Sequence, residues 1–227
     1  MKIIHVTDIH SYTDKLELLK RIDADLIVVS GDLIECGEDL NEYLRVLEEF
    51  RKLNVKVLYV PGNCDPREAL DIPSEENIVN LHGNYFKYGK YIFVGLGGSG
   101  YTPFNTPLEF SEDELESILE KTLSKVLNSE KISIDKLSSR LILVSHTPPL
   151  NTRIDMLYSG AHVGSLSVRE FIEKYRPILG LHGHIHEAVG IDRVEDTVIV
   201  NPGPLRYGNC AIIDVSESDV KIEIRRL

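Results

Sequence analysis

Long apolar runs are missing from this chain. No segment approaches the roughly 20 apolar residues needed to span a membrane. The opening "MKIIHV" enters a strand pattern directly, without the apolar stretch of a secretory leader. Runs of Lys and Arg are missing too. Acidic residues outnumber basic ones 36 to 25, for a formal net charge of -11. Such a surface repels polyanions at long range and lacks the basic stripe of a general nucleic-acid binder. Cysteine is scarce: Cys36, Cys64 and Cys210 are odd in number, far apart and outside any CxxC pair. That argues against a disulfide framework and against a structural zinc knuckle. Neither a G-x-S-x-G elbow nor a P-loop occurs, so a covalent serine mechanism and Walker-type NTP hydrolysis are set aside. Repeats, low-complexity tracts and obvious linkers are also lacking. The expectation is a single cytoplasmic domain over 1–227, with no membrane and no long nucleic acid among its partners.

What is present is strand and helix in alternation. "KIIHV" (2–6), "DLIVV" (25–29) and "VKVLYV" (55–60) are apolar, β-branched runs. Between them, 14–22 and 38–53 carry apolar residues at helical spacing. Strand–helix–strand order predicts parallel strands with right-handed crossovers, and near-continuous apolar strands suit a sheet covered on both faces. Short strands follow over 77–98. An insertion, 99–139, opens with "SGYTPFNTP" and continues into a helix whose Ser111 and Glu114 form a capping-box signature. It reads as a lid or as a contact for a homo-oligomer. "RLILV" (140–144), a helix at 167–175 and "PILGL" (177–181) follow, and the tail reads as an antiparallel meander.

Five of these apolar runs end in the same kind of chemistry. The first runs into Asp8 and His10, the second into Asp32 and the third into Asn63. "RLILV" runs into His146, and "PILGL" into His184 and His186. Ligands of open α/β sheets bind outside the carboxyl ends of the strands. Each residue alone reads as a cap, a turn or a buried histidine, but five strand ends bearing donors point to a metal site. Seven donors exceed one tetrahedral zinc. They suit two ions that share a carboxylate, activate a bridging water and clamp an in-line phosphoryl displacement.

The ordered motifs "DIH" (8–10), "GD" (31–32), "GNCD" (62–65), "SH" (145–146) and "GHIH" (183–186) resemble those of the calcineurin-like metallophosphoesterases. The resemblance implies an α/β fold, a four-layer α/β/β/α sandwich of two mixed sheets. It implies that Asp8, His10, Asp32 and His186 hold one ion, and that Asp32, Asn63, His146 and His184 hold the other. Mn²⁺ is the expected metal, with Fe, Zn, Ni or Mg also compatible. The implied function is hydrolysis of a small phosphodiester or phosphomonoester; the alternative is a scaffold that keeps the fold and metal site without catalysis. Many relatives carry His where this chain has Cys64, and "GNCD" resembles a small phosphodiesterase branch. Cys64 reads as a packed apolar residue, a general acid or a metal ligand. His162, in a Gly-rich loop before the helix at 167, is the candidate for the missing acid. Asp65 reads as a support for Asn63, and His182 as backing for the ligands. His5 reads as a core residue and His82 as solvated.

Overall fold

The computed structural model describes residues 1–37, 39–216 and 219–227. Its first sheet contains β1 (Lys2–Val6), β2 (Leu26–Ser30), β3 (Lys56–Val60) and β4 (Ile78–Asn80). The second contains β5 (Tyr85–Tyr88), β6 (Tyr91–Leu96), β7 (Leu141–Ser145), β8 (Leu179–Leu181), β9 (Gly190–Val194) and β10 (Thr197–Asn201). The chain then returns to the first sheet with β11 (Asn209–Val215) and β12 (Val220–Arg226). The strand orders are β12-β11-β1-β2-β3-β4 and β5-β6-β7-β8-β10-β9. The β1–β4 run is parallel, as are β6–β7, β7–β8 and β8–β10. Antiparallel pairs, β5–β6, β9–β10, β1–β11 and β11–β12, complete both sheets as mixed. The tail is therefore two hairpins on two different sheets rather than one meander, and the stretch 202–208 carries the chain between them.

Alternation along the strands explains why they look apolar throughout. Ile3, Val28, Leu58 and Val60 face Phe93, Ile142, Val144 and Leu181 across the gap between the sheets. Ile4, Ile27, Val29 and Tyr59 point outward, where α2 (Leu40–Arg51) covers them with Tyr43, Leu47 and Phe50. On the far side, α3 (Glu112–Glu130) and α5 (Leu166–Tyr175) cover Ile92, Val94, Leu141 and Leu143 with Leu115, Leu119, Leu123, Phe171 and Ile172. Both faces of both sheets are thus covered, giving α/β/β/α layers.

Local signals account for the helix ends. The Asp39 side chain accepts from Glu42 N at the start of α2; Glu38, the first residue of the expected helix, lies outside the described residues. Ser111 and Glu114 form the capping box of α3, and Ser165 caps α5. The expected 14–22 helix is shorter: a 3₁₀ turn, Thr13–Lys15, leads into four α-helical residues, α1 (Leu16–Leu19). The stretch read as an insertion divides in two. Helix α3 belongs to the outer layer, its apolar face against the second sheet, followed by a turn-length α4 (Ile134–Leu137). The loop before α3 and the first residue of the helix, Glu112, reach the cavity at the carboxyl edge of the sheets.

Candidate metal centre

The carboxyl ends of β1, β2, β3, β7 and β8 meet at one edge of the sandwich. Their turns are tight. Asp8, His10, Asp32 and His184 all have positive φ, 53°, 48°, 53° and 69°, a conformation that L-residues adopt at a cost and that concentrates at functional sites. The turns after β1 and β2 are zipped together: Asp8 N donates to Gly31 O at 3.0 Å, and Ile9 N and His10 N both donate to Asp32 O at 2.8 and 3.0 Å. Gly62 lies directly against Asp32, so a Cβ there would collide with its carboxylate and backbone N. The "GN" and "GD" glycines therefore permit close backbone approach between loops.

Asp8, His10, Asp32 and His186 each offer one ligand atom, and these atoms all lie within 4.8 Å of one another. His10 Nε2 and His186 Nε2 are 3.1 Å apart, and His186 Nε2 lies 3.2 Å from Asp8 Oδ1. Burial lowers the pKa of His10 to about 4 and, with the neighbouring His146, that of His184 to about 3. Both rings are neutral at pH 7, as ligands must be. Burial opposes the charge on Asp8, yet the bond from His186 and the nearby imidazoles hold it below the usual carboxylate range. Asp32 is driven well above that range by burial and by the charge of Asp8. Two buried carboxylates competing for one charge state form a site that a cation would relieve.

The remaining donors gather around His146. Its Nδ1 lies 2.6 Å from Ser30 O. A carbonyl only accepts, so Nδ1 carries the proton and a neutral ring presents a bare Nε2. That nitrogen faces Asn63 Oδ1 at 2.9 Å and Asp32 Oδ1 at 3.4 Å. The amide orientation is fixed as well. Asn63 Nδ2 donates to Thr106 Oγ1 at 2.9 Å, while Thr106 Oγ1 donates to Glu109 Oε1 at 2.7 Å. Three lone-pair donors therefore converge with no proton between them, an arrangement suited to a cation. The His184 ring stands edge-on to His146 with centroids 5.0 Å apart. Asp32 spans both groups: Oδ1 faces His146, and Oδ2 lies 3.8 Å from His10 Nε2. The donor set of carboxylates, imidazoles and one amide oxygen fits a pair of hard or borderline divalent ions.

Several expected roles change. Cys64 is bonded to Cys36 in a disulfide, so it lacks the free thiol that its readings as a packed residue, an acid or a ligand assume; the cysteine count argues only against a disulfide framework, and one bridge is not a framework. The cause of the bridge is Asp65, whose buried carboxylate accepts from Leu33 N, Ile34 N and Gly62 N at 2.8, 3.0 and 2.7 Å. It draws the loop after β2 onto the loop after β3, bringing Cys36 to Cys64. Asp65 thus makes no side-chain bond to Asn63, but secures the loops that bear Asn63 and Asp32. Burial and the Asp32 charge push its pKa up to about 8. His182 is fully buried, and burial lowers its pKa to about 3 against the opposing pull of the Thr147 and Ser145 backbone. It backs onto His5, which bonds Ser30 Oγ at 2.8 Å and lies in the core as expected. His82 is half-buried rather than solvated: its Nδ1 accepts from Gly97 N at 3.0 Å, and its ring stacks on Phe110. His162 Nδ1 lies 2.7 Å from the buried Asp155 Oδ1. The next residues, Val163 and Gly164, line the cavity over the donors; His162 itself does not.

Sequence reasoning missed Arg206. From the 202–208 crossing it reaches Glu35 Oε1 and His186 Nδ1, both at 3.4 Å. Its one visible signal is a cation within a Gly/Pro-rich segment. Asn201 was missed too; its Nδ2 donates to Ile185 O at 2.8 Å and steadies the loop bearing His184 and His186.

The sequence profile of the calcineurin-like phosphoesterases matches residues 1–188. The chain belongs to this family. It is 36% identical over 213 residues to the uncharacterized protein MJ1162 of Methanocaldococcus jannaschii, covering 91% of this chain and 90% of that one. A solved structure at 24% identity superposes with a TM-score of 0.77, covering 99% of this chain and 98% of the other. The protein TT1561 of Thermus thermophilus, at 18% identity, superposes with a TM-score of 0.70 over 98% of this chain and 97% of its own. These likenesses show the fold. As a calcineurin-like phosphoesterase, the protein is a metal-dependent hydrolase of phosphoric esters. Among the described residues, no helix is long and apolar enough to cross a membrane.

Proposed function

We propose that this phosphoesterase hydrolyses a small phosphomonoester or phosphodiester at two divalent ions. Asp8, His10, Asp32 and His186 would hold one ion, and Asp32, Asn63, His146 and His184 the other. The observation that carries the reading is the position of Asp32, one oxygen toward His10 and the other toward His146. When bound, such a pair supplies Lewis-acid activation of water and of the phosphoryl oxygens. Mn²⁺ is the favoured occupant, because an amide oxygen and two carboxylates suit a hard ion better than Zn²⁺.

The chain's own residues do the rest. Ser30 O and Thr106 fix the His146 tautomer and the Asn63 amide, so donors need little reorganisation on loading. Arg206 is the one Lys or Arg among the described residues lining the cavity. Its Nη1 and Nη2 reach Glu35 Oε1 and His186 Nδ1 only at 3.4 Å. A phosphoryl oxygen beside the ions would accept from these terminal nitrogens in charge-assisted geometry. His162, its Nδ1 side held by Asp155 and its neighbours Val163 and Gly164 lining the cavity, is proposed to supply a proton to the departing alkoxide.

Metal-stripped protein should be inert toward bis(p-nitrophenyl) phosphate and p-nitrophenyl phosphate, and Mn²⁺ should restore turnover of at least one. Fully loaded protein that hydrolyses neither would defeat the reading. His162→Ala, compared at equal metal content, should lower kcat with little change in KM; an unchanged kcat removes it from the mechanism.

A further inference from the structure

Above the metal centre lies a cavity of about 920 Å³, within the usual range for a small-molecule site. Its floor includes His10, Asp32, Asn63, His184 and His186. One wall is the loop 99–110, which carries Tyr101 and Phe104 into the lining while leaving them 74% and 80% exposed. Two large aromatic side chains so exposed at the mouth of one site contribute little to the core.

The loop that presents them is firmly built. Glu109 Oε1 accepts from Thr102 Oγ1 at 2.5 Å, from Thr106 N at 2.9 Å and from Thr106 Oγ1 at 2.7 Å. Phe104 N donates to Thr102 Oγ1 at 3.1 Å. The loop is tied to the metal centre twice, by Asn63 Nδ2 to Thr106 Oγ1 and by Leu108 N to Asn63 O at 3.1 Å. Tyr101 and Phe104 are therefore held in register with a proposed metal ligand.

Charge around the cavity limits what can be attached to the ring. Glu35, Glu112 and Glu187 line it against Arg206, the one Lys or Arg among the described lining residues. Although Glu112 is partly buried, bonds from Ser167 and Ser165 hold its pKa down, so it stays ionised. A chain of phosphates would meet these carboxylates; one phosphoryl group over the ions and a neutral planar group beyond it would not.

We propose that Tyr101 and Phe104 form a stacking subsite for an aromatic ring, of nucleobase type, on an ester bearing a single phosphate. The subsite deepens the phosphoesterase reading and rests on it for the position of the phosphate. Stacking on aromatic side chains tolerates any base, because every base has a π-face. The subsite selects for a ring rather than for one sequence of atoms.

Binding is measured by calorimetry on Mn²⁺-loaded protein, with phosphonates whose P–C bond resists hydrolysis. The probes are the phosphonate analogue of adenosine 5′-monophosphate, benzylphosphonate and methylphosphonate. The adenosine analogue should bind at least tenfold more tightly than methylphosphonate. In Tyr101→Ala/Phe104→Ala that ratio should fall toward unity at unchanged metal stoichiometry, and Tyr101→Phe/Phe104→Tyr should retain it. Benzylphosphonate separates a bare ring from a nucleobase: binding between the other two probes supports the nucleobase assignment, and binding equal to the adenosine analogue overturns it in favour of any aryl ester. Equal binding of all three probes, or a ratio untouched by the double alanine variant, overturns the subsite itself. Ring-dependent binding by a protein that hydrolyses no ester leaves the subsite standing and removes the phosphoesterase reading. Ester hydrolysis without ring-dependent binding does the reverse.

Discussion

Asp32 and Asn63 carry the site at the scale of single residues. Asp32→Asn removes a charge that both proposed ion positions share, so it is expected to release both ions together. Metal analysis after gel filtration checks this, and retention of both ions would reject the shared role. Thr106→Val acts more narrowly. It frees the Asn63 amide to rotate, and loss of such an outer partner typically weakens metal affinity about 10- to 100-fold. A competition titration should show that drop for one ion only. The seven proposed donors could be named from the sequence because each follows an apolar run, where register fixes the edge it reaches; the grouping of Asp8, His10, Asp32 and His186 is what the structure adds. Thr106, Arg206 and Asp155 were not legible. They sit in loops without periodicity, and only the folded chain brings Thr106 to Asn63 or Arg206 to His186.

At the scale of elements, the turns after the strands are the working parts. Gly31 packs against the His146 ring and, with φ at 99°, has a conformation unsuited to a side chain. Gly31→Ala is expected to displace His146 and abolish metal uptake while the sheets stay folded. Near-native far-ultraviolet circular dichroism with lost metal binding would be the signature; intact uptake would contradict the packing account. The Cys36–Cys64 bond links the β2 and β3 turns across a sequence separation of 28. In the chain-entropy view such a cross-link stabilises by about 3.6 kcal/mol. Reductant should therefore lower the urea midpoint of the wild type and leave that of Cys36→Ser unchanged; equal wild-type midpoints with and without reductant would mean unpaired thiols. The parallel β1–β3 run was readable from strand–helix alternation, whereas this bond was not. It depends on Asp65 binding the backbone of Leu33 and Ile34, a tertiary contact that cysteine spacing does not reveal.

At the scale of the whole molecule, two covered sheets meet so that parallel strands from both deliver donors to one edge. β1, β2 and β3 supply Asp8, His10, Asp32 and Asn63; β7 and β8 supply His146, His184 and His186. The proposed site therefore exists only when the sheets pack, and ions bound there would stabilise the entire sandwich. At a free concentration of about a hundredfold over Kd, one ion adds about 2.7 kcal/mol, so chelation should lower the thermal midpoint. The layered architecture was legible from strand–helix alternation and from motif order. The place of α3 was not, because a helix that covers a sheet and one that closes a lid share the same amphipathic pattern.

Electron paramagnetic resonance of the metal-stripped protein titrated with Mn²⁺ tests the shared carboxylate most directly. Two Mn²⁺ ions sharing Asp32 as proposed would be magnetically coupled. The wild type should give a coupled spectrum as the second ion binds, and Asp32→Asn should not. Two bound ions that retain only the isolated-ion hyperfine pattern in the wild type would contradict the account.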